Sequence, residues 1–460
     1  MVFKLHVWLG GSLGLSQVLF EDSKDMAEQY EEKYIPGSDA ESSDIFKFPY
    51  TVDDNSINFI KKHGRIMFII RGPPGTGKDS LTSMLVDCYE TAFICSADTY
   101  FNNMFSKSKR DSGSLMRSHK YCQEKVQNAC IKGTHPIIVK NTHMKKAEVQ
   151  KYVDFAAEYN YTIIMAITTQ KMQVTPEILA QSNTKGLSVE YFRRRLKQWQ
   201  DFIPVNTGWF LNPDDSSLLL KQVQLNLISL LGDGKFCSHF NAFIKGHLEG
   251  HFKARKLLYC VAACGKNNRS EEIQSYYLSN NVKEHYGQCF PIVIQGYIVT
   301  FSYIAAIVHL NETMRNLLFI ENNRSLEEDD IESVANLLGS LTLNENFLKC
   351  SSTKKFDYAF ESFEDTVERV EEKDREVINI NNCGFMILAQ NDCKIVLPNE
   401  VINIFFKLLS QKADKHGEIG WDNFHFLDNF FRYCRLADDA WLIRPPSDLS
   451  FETVFTGLYV

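Results

Sequence analysis

Gly72-Pro73-Pro74-Gly75-Thr76-Gly77-Lys78-Asp79-Ser80 decides how the rest of this chain is read. Glycine, four residues, Gly-Lys and then Ser or Thr is the pattern of a loop whose backbone N–H groups cradle phosphate oxygens. The stretch follows Arg65-Ile66-Met67-Phe68-Ile69-Ile70, whose continuous apolar run reads as a buried parallel strand. Leu81, Met84, Leu85 and Cys88 then recur at helical spacing. Strand, glycine-rich loop and helix N-terminus together converge N–H dipoles on an anion, and Lys78 reaches the terminal phosphates. Gly72, Gly75, Thr76, Gly77, Lys78, Asp79 and Ser80 are therefore candidate nucleotide-binding residues. Asp79 departs from the pattern, because a hydroxyl at that position normally helps to hold Mg²⁺. A carboxylate can ligate the ion too, but beside a polyphosphate it costs a few kcal/mol of repulsion at ~4–6 Å. Ser80 lies about 100° further round the helix and does not substitute. The expectation is a loop at which ATP and Mg²⁺ binding is weakened.

Outward from the loop, strand and helix alternate. Ala92–Cys95, Pro136–Val139 and Tyr161–Ile167 read as further strands, with a helix over 145–158. Such alternation predicts a parallel sheet covered on both faces. The second strand closes on Ser96-Ala97-Asp98-Thr99-Tyr100. Asp98, at the carboxyl edge beside the loop, is either a proton acceptor for an attacking hydroxyl or a helix-capping residue. The third strand ends Val139-Lys140-Asn141-Thr142-His143. An acid is expected there for the magnesium shell, and Lys140 and Asn141 supply none. Asp79 and Lys140 thus remove the same ion twice.

Residues 1–45 are expected to be an acidic, disordered leader. Residues 1–20 are apolar, but Gly10, Gly11 and Gly14 interrupt them, and export is not expected. The α/β unit is expected over 46–248. After it, Arg255–Ala263 and Phe290–Val308 read as strands rich in Val, Ile and Tyr. Glu327-Glu328-Asp329-Asp330 and residues 361–376, with six Glu and two Asp, read as solvated faces or insertions in a second unit, 249–460. A chain of 460 residues calls for two or three domains. Its net charge of -7 offers no whole-chain basic surface for nucleic acid. The 12 cysteines form no CxxC pairs, which favours a reducing, cytoplasmic compartment. No spacing of Cys or His reads as a metal site. No run reaches the ~18 apolar residues of a membrane span, and Thr456-Gly457-Leu458-Tyr459-Val460 has no prenylatable cysteine.

Taken in order, these segments resemble the 2′,3′-cyclic-nucleotide 3′-phosphodiesterase (CNPase) family. Phe46-Lys47-Phe48-Pro49 resembles the family's lead-in to its first strand, and Ser96-Ala97-Asp98-Thr99-Tyr100 its Ser-Ala-Asp-Ala-Tyr. Asn141-Thr142-His143 with Ala157-Glu158-Tyr159-Asn160-Tyr161 is similar to its Asp-Thr-Asn and Asp-Gln-Tyr-Gln-Tyr segments. Gly208-Trp209-Phe210-Leu211 and Val454-Phe455-Thr456-Gly457-Leu458-Tyr459 continue the likeness, which covers most of residues 46–460. The resemblance implies a P-loop, polynucleotide-kinase-like α/β domain followed by an α+β two-histidine-phosphoesterase-like domain. It also implies opening of 2′,3′-cyclic phosphates to 2′-phosphates, with no cofactor required, on nucleotides or RNA ends. That chemistry needs two facing His-x-Thr motifs: one His as base on water, the other as acid on the leaving oxygen, and Thr hydroxyls on the phosphate.

None of the 12 histidines is followed two residues later by Thr or Ser. By resemblance the first motif falls on Leu258-Tyr259-Cys260-Val261, with Tyr259 in the His place and Val261 in the Thr place, just before Gly265-Lys266. The second finds its best match at Ser340-Leu341-Thr342-Leu343. Tyr259 has an ordinary pKa near ~10, and Val261 carries no proton. His309, ending Ile307-Val308-His309, is either a relocated catalyst or an ordinary strand histidine. The family's lid Trp-Arg corresponds to Met172-Gln173, before Asn183. Arg193, Arg194 and Arg195 read as a surface helix face, with a phosphate clamp as the alternative. Three functions remain open: a phosphodiesterase with impaired catalysis, a catalytically degenerate scaffold for nucleotides, RNA or proteins, and a polynucleotide 5′-hydroxyl kinase with Asp98 as base.

Overall fold

Strand β1 (Ile66–Arg71) is buried along its whole length, as a continuous apolar run demands when both faces of a sheet are covered. In the computed structural model, which describes residues 46–102, 112–172, 174–183, 186–232, 234, 252–264, 271–319, 377–390, 398–426 and 431–459, it lies inside a four-stranded sheet. Its neighbours are β2 (Phe93–Cys95), β3 (Ile137–Lys140) and β4 (Thr162–Ile167), in the order β2-β3-β1-β4. Every pairing is parallel, as the strand–helix alternation predicts. Met67 and Ile69 pack with Val126 and Val149 of the helices Ser112–Lys132 and Lys146–Tyr159. Phe68 and Ile70 point the other way, toward Phe46, Phe48, Leu81 and Leu85. Each fully buried side chain of this size contributes about 1.5–3 kcal/mol, so alternate residues of one strand hold two layers together.

A second, antiparallel system begins inside the region expected to belong to the first domain. Strand β5 (Asn206–Leu211) pairs with the strand 449–458 and with β7 (Tyr259–Cys264), not with β4. The short β6 (Lys253–Ala254) precedes β7, so residues 255–258 of the expected strand 255–263 lie outside regular strand. The run expected as one strand, Phe290–Val308, is two: β8 (Cys289–Thr300) and β9 (Tyr303–His309), antiparallel to each other. Thr300 makes that turn, its Oγ1 accepting from the Ser302 and Tyr303 amides. The last third supplies β10 (Ile378–Asn379), β11 (Cys383–Gln390), β12 (Glu418–Ile419), β13 (His425–Phe426), β14 (Arg432–Ala437), β15 (Ala440–Arg444) and β16 (Leu449–Leu458). Pairings run β8-β16-β5-β7-β11-β9 and back to β8, so the sheet closes on itself like a barrel. β10 and β12 form a separate pair. The helix Pro213–Leu231 covers one side of the large sheet through Leu219, Val223 and Leu227. Helix Pro398–Ser410 covers part of the other through Val401 and Phe405.

The rest of that second side meets the first sheet. Phe210, Tyr259, Val261 and Val454 share one buried cluster with Phe46, Phe68, Ile70 and Ile164. Thr456 Oγ1 donates to the Ile163 carbonyl at 2.7 Å, fastening β16 to β4. Cys289 N donates to Ser56 Oγ at 2.8 Å at the other end of the contact. The leader 1–45, the acidic stretches 327–330 and 361–376, Ser340, Thr342, Gly265 and Lys266 lie outside the described residues.

One glycine is irreplaceable for a steric reason. At Gly208, beside the irregularity between β5 and β7, a Cβ would stand 2.1 Å from the Cys260 carbonyl oxygen. Gly208→Ala is expected to destabilise by about 1–3 kcal/mol or more, read as a lowered urea midpoint at unchanged slope. Gly420, with nothing within 4 Å of its Cβ position, is the control: Gly420→Ala should stay within about 0.5 kcal/mol.

Candidate functional site

The carboxyl edge of the first sheet gathers the loop residues expected from the sequence. Gly75 and Gly77 hold φ of 81° and 70°, the left-handed values that glycine adopts without strain. Gly77 sits at the N-cap of the helix Lys78–Cys88, so the loop delivers the free N–H groups of a helix start. Two threonines brace it. Thr168, just past β4, places its Oγ1 2.7 Å from Thr76 Oγ1 and 3.1 Å from the Arg71 carbonyl. Thr76 Oγ1 in turn donates to the Pro73 carbonyl at 2.8 Å. A Cβ on Gly72 would lie 2.0 Å from Thr168 Oγ1, so that position must be glycine. Lys78 Nζ donates to the same Pro73 carbonyl at 2.8 Å, which holds its ammonium at the loop. Ser80 is half-buried in the first helical turn. From the lid side, the helix Pro176–Ser182 reaches over, and Ser182 Oγ donates to the Gly75 carbonyl at 3.0 Å.

The two departures from the phosphate-loop pattern meet. Ile70 pairs with Lys140 in the β1–β3 register, which puts Lys140 at the same edge. Its Nζ forms an ion pair with Asp79 Oδ1. The carboxylate is 85% exposed and the lysine 21%, and a pair this open to water is worth under about 1 kcal/mol. Asn141 turns away: its Oδ1 accepts from Ala97 N at 2.9 Å and its Nδ2 points at Cys122 Sγ. Asp98 opens the helix Asp98–Asn102 at the edge of β2, exposed, with its amide donating to Ser96 Oγ at 3.2 Å.

These residues do not fit a magnesium shell. The ion wants oxygen ligands near ~2.0–2.1 Å in an octahedron. Of the two carboxylates at this edge, Asp79 is already neutralised by an ammonium and Asp98 stands beyond the end of β2. A divalent ion about 4 Å from that ammonium meets roughly 8 kcal/mol of repulsion at an effective dielectric of about 20, before solvent screening. Among the described residues no group of three or more His, Cys, Asp or Glu side chains converges as a metal site.

Behind the loop, Arg71 is fully buried. Its Nε donates to the His143 carbonyl and its Nη2 to the Gln200 carbonyl, both at 2.9 Å, and the guanidinium lies 4.5 Å from the Trp199 ring centre. Burial lowers its pKa only to about 10, so it stays a cation. His143 is held neutral beside it, pushed down to about 3 by burial and by the Arg71 charge. On the far lid helix, Arg193 pairs with Glu190 and Glu177, and Arg195 donates to Gln198 Oε1 at 2.7 Å. Asn183 ties the lid turn together, its Oδ1 accepting from Leu187 N at 2.7 Å.

The second candidate site lies on the large sheet. Tyr259 and Val261 are 4% and 7% exposed. Tyr259 stacks on Phe210 with ring centres 4.5 Å apart and receives a hydrogen bond from Asn206 Nδ2 at 2.7 Å. Burial pushes its hydroxyl pKa up. On the side away from β5, β7 pairs with β11, with Met386 opposite Cys260. Alternation therefore puts Phe385 and Ile387 on the side shared by Tyr259 and Val261. Phe385 packs on Phe405 and Phe406, at 5.5 and 4.8 Å between ring centres. His309 pairs with Cys383 of β11, beyond Phe385. It stands two strands from β7, about 10 Å across the sheet.

A family model described as an AAA domain matches residues 67–202. The rat 2′,3′-cyclic-nucleotide 3′-phosphodiesterase is 24% identical over 290 residues, 60% of this chain and 67% of that protein. The Pongo abelii protein of the same name is 25% identical over 284 residues, 59% of this chain and 66% of its own length. The chain is a divergent relative of the 2′,3′-cyclic-nucleotide 3′-phosphodiesterases. Human NEDD4-binding protein 2 is 29% identical over 142 residues, 31% of this chain but 8% of that protein. A chain from the structure of the Pnkp1/Rnl/Hen1 RNA repair complex aligns over 29% of this chain and 43% of its own, at 17% identity and a TM-score of 0.26. Matches to the phosphodiesterases thus span about two thirds of their length, and the P-loop unit is the part matched by the AAA model.

The loop residues and Asp98 come together at one edge, while Tyr259 and Val261 lie in the apolar contact between the sheets. Thr168, Ser182, Phe385 and Ile387 have no motif to announce them; only a hydroxyl closing the strand beside β1 hints at Thr168. The Asp79–Lys140 pairing had a signal, two opposite charges replacing two magnesium-binding positions at once.

The buried histidines give the molecule an acid limit. Unfolded histidine has an ordinary value of 6.5, whereas His63 and His143 are pushed down to about 3, chiefly by burial. The unfolded chain binds more protons across that window, so stability falls as pH drops from 6.5 toward 3. Between pH 7 and 5 each histidine accounts for about 2 kcal/mol. His143→Asn, which keeps a residue tolerant of its positive φ, should shrink the pH 7-to-5 loss by that amount. Urea titrations at both pH values check it, and an undiminished loss would contradict the assignment.

Proposed function

We propose that this chain is a nucleotide-binding relative of the phosphodiesterases that has given up their hydrolytic chemistry. The observation that carries this reading is the packed, buried face formed by Tyr259, Val261, Phe385 and Ile387. Opening a 2′,3′-cyclic phosphate requires a base to take a proton from water and an acid to return one to the 3′-oxygen. Val261, Phe385 and Ile387 carry no proton to move. Tyr259 is buried, its hydroxyl raised away from neutrality and engaged by Asn206. His309 is too far along the sheet to serve the same phosphate. Each lost acid–base group is worth ~10²–10⁴ in rate.

The loop, by contrast, retains what phosphate binding needs: the glycine path, the helix start, the threonine brace and Lys78. Its ligands in this reading are the phosphates of nucleotides or RNA ends. A kinase reading is weaker, because Asp98 has the place of a base but Asp79, Lys140 and Asn141 do not build the magnesium corner that phosphoryl transfer uses.

Purified full-length protein is expected to hydrolyse 2′,3′-cyclic AMP roughly 10⁴-fold or more below a two-histidine enzyme. Turnover at an ordinary enzymatic rate would sink the proposal. In parallel, Lys78→Ala is expected to weaken ATP binding about tenfold or more, as loss of a charge-assisted phosphate contact should, and unchanged binding would remove the nucleotide half of the reading.

A further inference from the structure

We propose that Lys140 supplies the positive charge that magnesium supplies in other phosphate loops, so that this loop binds nucleotide phosphates without a divalent ion. The inference rests on the nucleotide-binding reading above and adds to it the state of the ligand: free polyphosphate rather than its magnesium complex.

Three observations converge. The β1–β3 register brings Lys140 opposite Ile70, two residues before Gly72, at the edge where the phosphates enter. Asp79, in the first turn of the helix Lys78–Cys88, holds the Lys140 ammonium beside the loop. Lys78 is anchored on the Pro73 carbonyl. Two ammonium groups therefore sit at the loop, one from its own helix and one from the neighbouring strand. Neither Lys140 nor Asn141 can ligate magnesium, because Lys140 is a cation and the Asn141 side-chain oxygen is taken by Ala97 N.

Asp79 then acts as a latch. It neutralises Lys140 and keeps the ammonium beside the loop. A phosphate oxygen is a better partner for an ammonium than a carboxylate that is 85% exposed, and it can draw the ammonium off while the carboxylate returns to water. The same geometry makes magnesium a competitor. An ion already on the β- and γ-phosphates occupies the oxygens that Lys140 would bind, and it brings positive charge against the ammonium.

The test is calorimetric titration of ATP into the full chain, in magnesium and in excess chelator. Affinity in chelator is expected to equal or exceed that in magnesium. Lys140→Ala should lose at least tenfold in chelator, and Asp79→Asn should gain several-fold by freeing the ammonium. Opposite directions in the two variants exclude misfolding as the cause. The double exchange Asp79→Ser with Lys140→Asp should reverse the preference, binding at least tenfold tighter with magnesium. Wild-type binding that needs magnesium, or a Lys140→Ala variant that binds as well as wild type, overturns this inference and leaves the nucleotide-binding reading standing. Absence of binding in both buffers overturns the two together.

Discussion

The apolar layer between Phe68 and Ile70 on one sheet and Phe210, Tyr259 and Val454 on the other is the contact on which both halves depend. Each sheet presents buried apolar side chains to it. The first sheet needs that face dry because its strands are apolar on both sides. A sheet surface used in this way cannot also hold water, a base and an acid, since charges taken into such a layer lose far more solvation than they recover. Tyr259 keeps a polar tip there, met by Asn206. The apolar side chains of β7 and the closeness of the two sheets are thus one arrangement, made on one surface.

At the loop the governing quantity is charge rather than burial. The braces around Gly72 and Thr76 are neutral and geometric, and they hold the backbone where phosphate oxygens would find N–H groups. Around that frame the ionic residues have been rearranged: a carboxylate stands on the helix and an ammonium on β3, and the two neutralise each other. Their separation in sequence hides a local exchange, because the parallel register is what makes residues 79 and 140 neighbours.

Much of the first sheet could be read directly from its residues. Four continuous apolar runs with helical patterns between them admit few arrangements, and the loop fixes where β1 ends. The second sheet was less legible for a physical reason. Its strands face packed layers on both sides, so Phe290–Val308 shows no alternation that would mark the turn at Phe301-Ser302, and hydrophobicity alone ran through it. β5 falls inside the range 46–248 expected for the first unit, yet its partners lie in the second sheet. The loop site was visible because its motif is contiguous. The Thr168 brace, the lid contact of Ser182 and the β7–β11 register are products of pairing, and no local pattern encodes them.

The strand Leu449–Leu458 has a temporal meaning as well as a spatial one. It lies between β5 and β8, and it also bonds to β4 across 293 positions of sequence. The first sheet uses residues 66–167 alone and can assemble while synthesis continues. β5 is made soon afterwards, and of its two partners β7 follows early while β16 must wait until residue 458 has been released, because ribosomal synthesis supplies the N-terminal part first. Throughout that interval the edge of β5 that pairs with β16 stays open. Contacts closed over such spans form slowly, so the nascent chain passes through a stage with a finished phosphate loop and an open, sticky neighbour. The period of greatest vulnerability to aggregation therefore falls after the loop is built and before the second sheet is joined.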